Sequence, residues 1–272
     1  SLFSFAFVVN VFILFCNKRL FFSSFLYFYP MNYEDVLGLK QLKSHLQTTI
    51  KNRRVAHAQL FVGQHGYGVL PLAIAFAKNL ITSYSTSAQT YPILEHPDLH
   101  FVYPINATSD TSTKPISTDF IEDWRRFLNH SPYQSLYDWY QHIGIEKKQG
   151  LIKVNEAQDM LKKLSLKSFT GGVKVMIIWC ADLMNPQTAN KLLKLIEEPP
   201  KDTFFILTTT QPDAILETIK SRCQALHFPP LSEAHIAEAL EQQNLAPSKA
   251  KSIAHQADGD FVKALHLSTT DT

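Results

Sequence analysis

From residue 31 onward, apolar positions fall into two patterns that take turns along the chain. Val36, Leu39, Leu42, Leu46 and Ile50 recur at three- and four-residue steps with Lys and Gln between them, which predicts a helix over 33–54. Ala58-Gln59-Leu60-Phe61-Val62 is instead a short apolar run of strand length, followed by a glycine-rich loop and a helix reaching about residue 80. The alternation continues with a short buried strand inside 96–104 and a helix over 119–140 that Ser131-Pro132 breaks in two. A helix over 156–166 places Ala157, Met160, Leu161 and Leu164 on one face. A strand over 173–179 is interrupted only by Lys174, and the helix over 185–196 stops at Pro199-Pro200. A strand over 204–209, a short helix over 214–220 and a strand over 225–228 complete the series. Continuous apolar strands are covered on both faces, and strands alternating with helices predict an α/β fold: a parallel sheet with helices on both faces. After Pro229-Pro230 the strands cease. Helices over 233–243, 247–256 and 261–267 predict a small helical domain over 231–272, behind an α/β domain over 31–230.

Composition narrows the picture only a little. Hydrophobic content of 45% with 18% charged residues is that of a globular protein, and a net charge of +2 argues neither for nor against nucleic acid. Cys16, Cys180 and Cys223 are odd in number and far apart, so the spacing supports neither a zinc site nor a disulfide framework, and a reducing compartment is the default. Residues 1–30 differ from the rest: crowded with Phe, Leu, Val and Tyr, they hold no acidic residue and only Lys18 and Arg19 as charges. The apolar run over 2–16 falls short of a spanning helix and has no basic start. Upstream sequence translated ahead of Met31 is the preferred reading of this stretch, and a membrane anchor is its rival.

Two polar clusters carry a bland and a sharp reading each. Lys51-Asn52-Arg53-Arg54 suits a helix C-terminus, where cations complement the dipole, and could also meet DNA phosphates. His96, Asp98 and His100 are metal-ligating types, but His100 lies inside a strand pattern with no cysteine nearby. No metal is expected there.

The stretch with the most chemistry in its spacing is Gly63-Gln64-His65-Gly66-Tyr67-Gly68-Val69-Leu70, between a strand and a helix. That is the setting of a phosphate-binding loop, G-x-x-x-x-G-K-[ST]. Gly63 and Gly68 have the required spacing and Gly66 adds flexibility. Val69 stands where the lysine should reach the β- and γ-phosphates, and Leu70 where a hydroxyl should hold Mg²⁺. The loop keeps the shape of a nucleotide site without its reactive side chains.

Three motifs together resemble the AAA+ clamp-loader family, and within it the delta-prime branch. The first is Arg53-Arg54-Val55-Ala56-His57-Ala58-Gln59-Leu60-Phe61 ahead of the loop. The second, Asn185-Pro186-Gln187-Thr188-Ala189-Asn190-Lys191-Leu192-Leu193-Lys194-Leu195-Ile196-Glu197-Glu198-Pro199-Pro200, is similar to the family's A-N-A-L-L-K-x-L-E-E-P-P. The third is Ser221-Arg222-Cys223, the family's S-R-C. The resemblance covers Met31 to about Leu267 and implies an AAA+ fold ending in a lid domain.

The departures from the family are equally specific. Where ATP-hydrolysing relatives carry Asp-Glu to hold Mg²⁺ and activate water, this chain has Trp179-Cys180, followed by Ala181-Asp182. Neither an indole nor an ordinary thiol replaces a hard carboxylate ligand. In Gly259-Asp260-Phe261-Val262-Lys263-Ala264-Leu265, Val262 takes the position of the family's nucleotide-sensing arginine. The resemblance therefore implies a subunit that does not hydrolyse ATP and needs no cofactor, with binding at Gly63, Gly66 and Gly68 doubtful. It also implies that Arg222, braced by Ser221, serves as an arginine finger at a neighbouring subunit's nucleotide. Implied partners are the ATPase and delta-type subunits of the loader, the sliding clamp indirectly, and primer-template DNA through the complex, in the cytoplasm and without a membrane. The helical collar domain of such subunits is expected to be absent from the chain as given. The rival functions are a working ATPase of the same fold, holding nucleotide by the loop backbone alone, and a membrane-attached interaction protein.

Overall fold

The computed structural model describes residues 31–108, 111 and 113–270; the first thirty residues, and the readings that concern them, lie outside the described residues. Five strands form one sheet in the order β2-β3-β4-β1-β5, all pairs parallel. They are β1 (Ala58–Val62), β2 (Leu99–Val102), β3 (Lys174–Ile178), β4 (Thr203–Thr209) and β5 (Gln224–His227). The register pairs Leu60 with Leu207 and Ala225, so β1 sits between two strands that are not its neighbours in sequence. Its carboxyl end, where the glycine loop begins, lies at the sheet edge where α/β folds place their ligands.

The two-residue period of the strands sorts side chains into two cores. Phe61, Val175, Ile177 and Ile206 face one cluster, with α1 (Lys40–Lys51), α2 (Val69–Tyr84), α3 (Ile121–His130) and α4 (Leu136–His142). Leu60, Met176, Ile178, Phe205 and Leu207 face the other, against α5 (Val154–Ser165), α6 (Pro186–Glu197) and the one-turn α7 (Glu217–Lys220). Helices on both faces of a parallel sheet are thus what the apolar strand runs predicted. A third cluster gathers α8 (Glu233–Gln242), α9 (Pro247–Ala257) and α10 (Phe261–Thr270). Leu37, Leu39 and Tyr133, from earlier in the chain, pack into it as well. Among the described residues no helix is long and apolar enough to cross a membrane.

Two expectations need correction. Helix α1 starts at Lys40 rather than near Tyr33, because Gly38 (φ 55°) and Leu39 (φ 54°) are both left-handed and interrupt any helix before them. Leu161 is 46% exposed: Ala157, Met160 and Leu164 form the buried stripe, and Leu161 falls beside it. Lys174, the one polar residue of its apolar run, lies within β3 as that run predicted. It is buried, and its ammonium donates to the carbonyls of Leu164 and Leu166 at the end of α5.

The polar clusters resolve into structure. Asp98 is buried and accepts from Ser168 Oγ, Phe169 N–H, Thr170 N–H and Thr170 Oγ1 at 2.6–3.0 Å. Burial alone would raise its carboxyl, but these bonds outweigh it and hold the group below the usual range. With its lone pairs spent on the 168–170 turn, Asp98 is a brace. Among the described residues, no group of three or more His, Cys, Asp or Glu is arranged to hold a metal. In the basic cluster, Arg53 lies over the Tyr84 ring at 4.0 Å and donates to Ser83 O at 3.1 Å, closing the helix end.

Glu156, on α5, is the odd buried acid. Its Oε2 accepts from Ser117 N–H at 2.8 Å while its Oε1 has no partner, and burial pushes its carboxyl up to about 7 from 4.5. The folded chain then keeps a proton that the unfolded chain releases, so stability falls as pH rises from about 4.5 through about 7. Glu156→Gln is expected to match the unaltered chain near pH 3.5, below both values, and to exceed it at pH 8 by up to about 3 kcal/mol, read from thermal unfolding at the two pH values.

Candidate functional site

The glycine loop leaves β1 at Gly63, whose N–H donates to Thr209 O at 3.1 Å. It makes a single 3-10 turn at His65–Tyr67 and enters α2 through Gly68, left-handed at φ 84°. Gly68 is the conformational pivot, since an L side chain pays steric strain in that region. Gly63 must be small for a different reason: a Cβ there would stand 2.7 Å from Phe228 Cβ, where the chain leaves β5. Gly66 is closer still to a neighbour. A Cβ there would lie 1.7 Å from Asp260 Oδ1.

That approach sets Asp260 directly against the glycine loop. Asp260 opens α10, with Oδ1 accepting from Lys263 N–H at 3.0 Å, and its carboxylate rests against the loop. Tyr133 closes another side. Its hydroxyl accepts from Leu37 N–H at 2.7 Å, its ring meets Phe261 edge-on at 5.1 Å, and a Cβ at Gly68 would come within 3.4 Å of its oxygen. Neither Tyr133 nor Asp260 stands out in the sequence as a loop neighbour, because each reaches it across more than sixty residues of chain.

The positions that carry catalysis in the resemblance are core positions in this structure. Val69 and Leu70 are 4% and 3% exposed and belong to the α2 side of the core. Trp179 is 1% exposed, with its ring 5.4 Å from His65 and 5.2 Å from Trp124. Cys180 is buried in a left-handed turn (φ 55°), its N–H donating to Thr208 Oγ1 at 3.2 Å, and burial pushes its thiol well above the usual range. Asp182 is occupied too: Thr209 Oγ1 donates to it at 2.6 Å. Val262 is buried in the helical cluster, so it packs rather than reaches towards the loop. For His65, burial lowers the imidazole while Asp182, Asp260 and Asp138 oppose that shift. Even so, the net direction is downward, which favours the neutral ring beside Trp179.

Ser221 and Arg222 lie apart from the loop, on the turn from α7 to β5. Ser221 ends α7 with its Oγ donating back to Thr218 O at 3.2 Å. Arg222 is partly exposed, as an arginine must be to meet another molecule, but it is not idle. Its Nη2 pairs with Glu197 Oε1 at 2.7 Å and its Nη1 donates to Thr218 O at 2.9 Å. Cys223 packs against the second core, where burial pushes its thiol up to about 11. The structure therefore brings Gly63, Gly66 and Gly68 together with Trp179 and Asp260, and keeps Arg222 on a separate surface with Glu197. The sequence signal for Glu197 was its place in E-E-P-P, although the spacing gives no hint of its partner.

The chain is similar in sequence to known proteins. A family model described as DNA polymerase III, delta subunit, matches residues 38–140 and 140–232. DNA polymerase III subunit delta' of Bacillus subtilis is 31% identical over 234 residues, covering 83% of this chain and 58% of that protein. DNA polymerase III subunit tau of the same organism is 28% identical over 246 residues, covering 88% of this chain and 38% of its own length. The chain thus spans less than two thirds of either relative. Among solved structures, the RuvB Holliday junction branch migration motor of Thermotoga maritima superposes with a TM-score of 0.54 at 16% identity, over 89% of this chain and 64% of RuvB. At that identity the likeness concerns the fold alone, and it agrees with the AAA+ architecture of the sheet and its helices. With its motifs, its strand order and the extent of the family match in accord, the chain belongs to the DNA polymerase III delta-subunit family.

Proposed function

We propose that this chain is a non-hydrolysing, delta-prime-like subunit of a bacterial DNA polymerase III clamp loader. In this reading its own nucleotide site is retired, and Arg222 is offered to the nucleotide of an adjacent ATPase subunit. The observation that carries the reading is the burial of Val69, Leu70, Trp179 and Val262, four positions where an active site needs charge or a hydroxyl, beside an intact and partly exposed S-R-C turn. Phosphoryl transfer depends on positioning and charge, so a site that has packed those positions with apolar side chains retains nothing to catalyse with. The helices from Leu231 act as the lid, with Asp260 lying against the loop at Gly66. The partners are the ATPase and delta-type subunits, with the sliding clamp and primer-template DNA reached through the complex, in the cytoplasm.

The ion pair with Glu197 favours a second reading of Arg222, as a brace between α6 and the α7–β5 turn. An exposed pair contributes only about 0–1 kcal/mol, so it exchanges readily for a phosphate. Turnover by a complex reconstituted with Arg222→Ala separates the two: lost turnover with assembly intact supports the finger, and unchanged turnover leaves only the brace.

A further inference from the structure

Glu197 joins the two most specific sequence motifs, and its position is costly by itself. It is the last residue of α6, followed by Glu198 and then Pro199-Pro200, at the end of a helix where the dipole disfavours negative charge. A cation offsets that cost, and Arg222 Nη2 supplies it at 2.7 Å. On the other side of the same guanidinium, Nη1 donates to Thr218 O at 2.9 Å and approaches Ser221 Oγ at 3.5 Å. Acceptors on two sides fix the plane of a side chain that is otherwise long and free to rotate. A guanidinium carries five N–H donors in that plane, so these three contacts leave donors over.

We infer that Glu197 is a positioning residue for Arg222. It holds the guanidinium plane so that the remaining donors meet an anionic phosphate oxygen brought up by a neighbouring subunit, and it touches neither nucleotide nor water itself. This rests on the trans role proposed for Arg222. The pair is half-exposed on both sides, 40% and 38%, so the phosphate approaches without opening the fold.

The test is a double-mutant cycle in the loader reconstituted with its ATPase subunit, comparing the unaltered chain, Glu197→Ala, Arg222→Ala and the double variant. Glu197→Ala is expected to lower kcat at the one site that Arg222 serves about three- to fivefold with KM for ATP unchanged, the scale of an exposed pair. In the Arg222→Ala background the same change is expected to have no effect. Glu197→Gln, which keeps an acceptor, should fall between. If Glu197→Ala lowers kcat by the same factor in both backgrounds, its role is structural and the inference is overturned. The inference is equally overturned if Arg222→Ala lowers kcat while Glu197→Ala leaves it unchanged or raises it. If Arg222→Ala itself changes nothing, the trans role fails first and the positioning role goes with it.

Discussion

Arg222→Ala is expected to reduce turnover at the one ATPase site it serves by roughly 10³- to 10⁵-fold, the effect of an arginine supplied in trans to a transferring phosphoryl group. The whole complex then loses that site's share of ATP turnover, while the amount of complex recovered stays the same. The two readouts part because Arg222 lies on a surface turn. Its side-chain contacts are one exposed ion pair and hydrogen bonds to Thr218 and Ser221, and the side chain belongs to none of the core clusters among the described residues. Arg222→Lys is the informative companion. Lysine keeps the charge but has no planar fork, so it cannot hold Glu197 and reach a phosphate together. It should therefore recover little of the lost turnover.

The second large effect concerns the buried tryptophan. Trp179→Asp, which restores an acidic residue where hydrolysing relatives carry one, is expected to unfold the α/β core rather than revive a metal site. Removing a fully packed tryptophan costs about 3–5 kcal/mol through the cavity it leaves. An unpaired carboxylate among Trp124, Phe127 and His65 adds several kcal/mol of desolvation. A domain of ordinary stability has only about 5–15 kcal/mol to lose. Urea unfolding of Trp179→Asp against Trp179→Phe checks this: the phenylalanine variant should retain a cooperative transition, and the aspartate variant should show little or none. A stable, Mg²⁺-binding Trp179→Asp chain would mean that the site is dormant instead of built over.

The parts of the molecule that were legible in the sequence are those governed by local period. The run Val173 to Trp179 has the pattern of a strand covered on both sides, and its apolar residues indeed divide between the two cores. The loss of the nucleotide residues was equally legible, because it concerns residue type at a fixed spacing. What the sequence concealed depends on backbone angles and long-range contact. Nothing in its spacing marks Leu39 as left-handed, yet that angle sets where α1 begins. Asp260 and Tyr133 meet the loop only once α10 and the α3–α4 turn have docked, so their place beside it belongs to tertiary packing. The pairing of Glu197 with Arg222 is of the same kind: each residue sits inside a recognisable motif, and only the fold brings the motifs together.

The central claim is that Gly63 to Leu70 keeps the shape of a nucleotide loop and holds no nucleotide. Calorimetric titration of this chain with Mg-ATP tests that most directly. With the lysine, the hydroxyl, the acidic pair and the sensor arginine all replaced, and each charge-assisted contact worth roughly 1.5–3 kcal/mol, affinity should be weaker than about 1 mM. Saturable binding in the micromolar range would contradict the account.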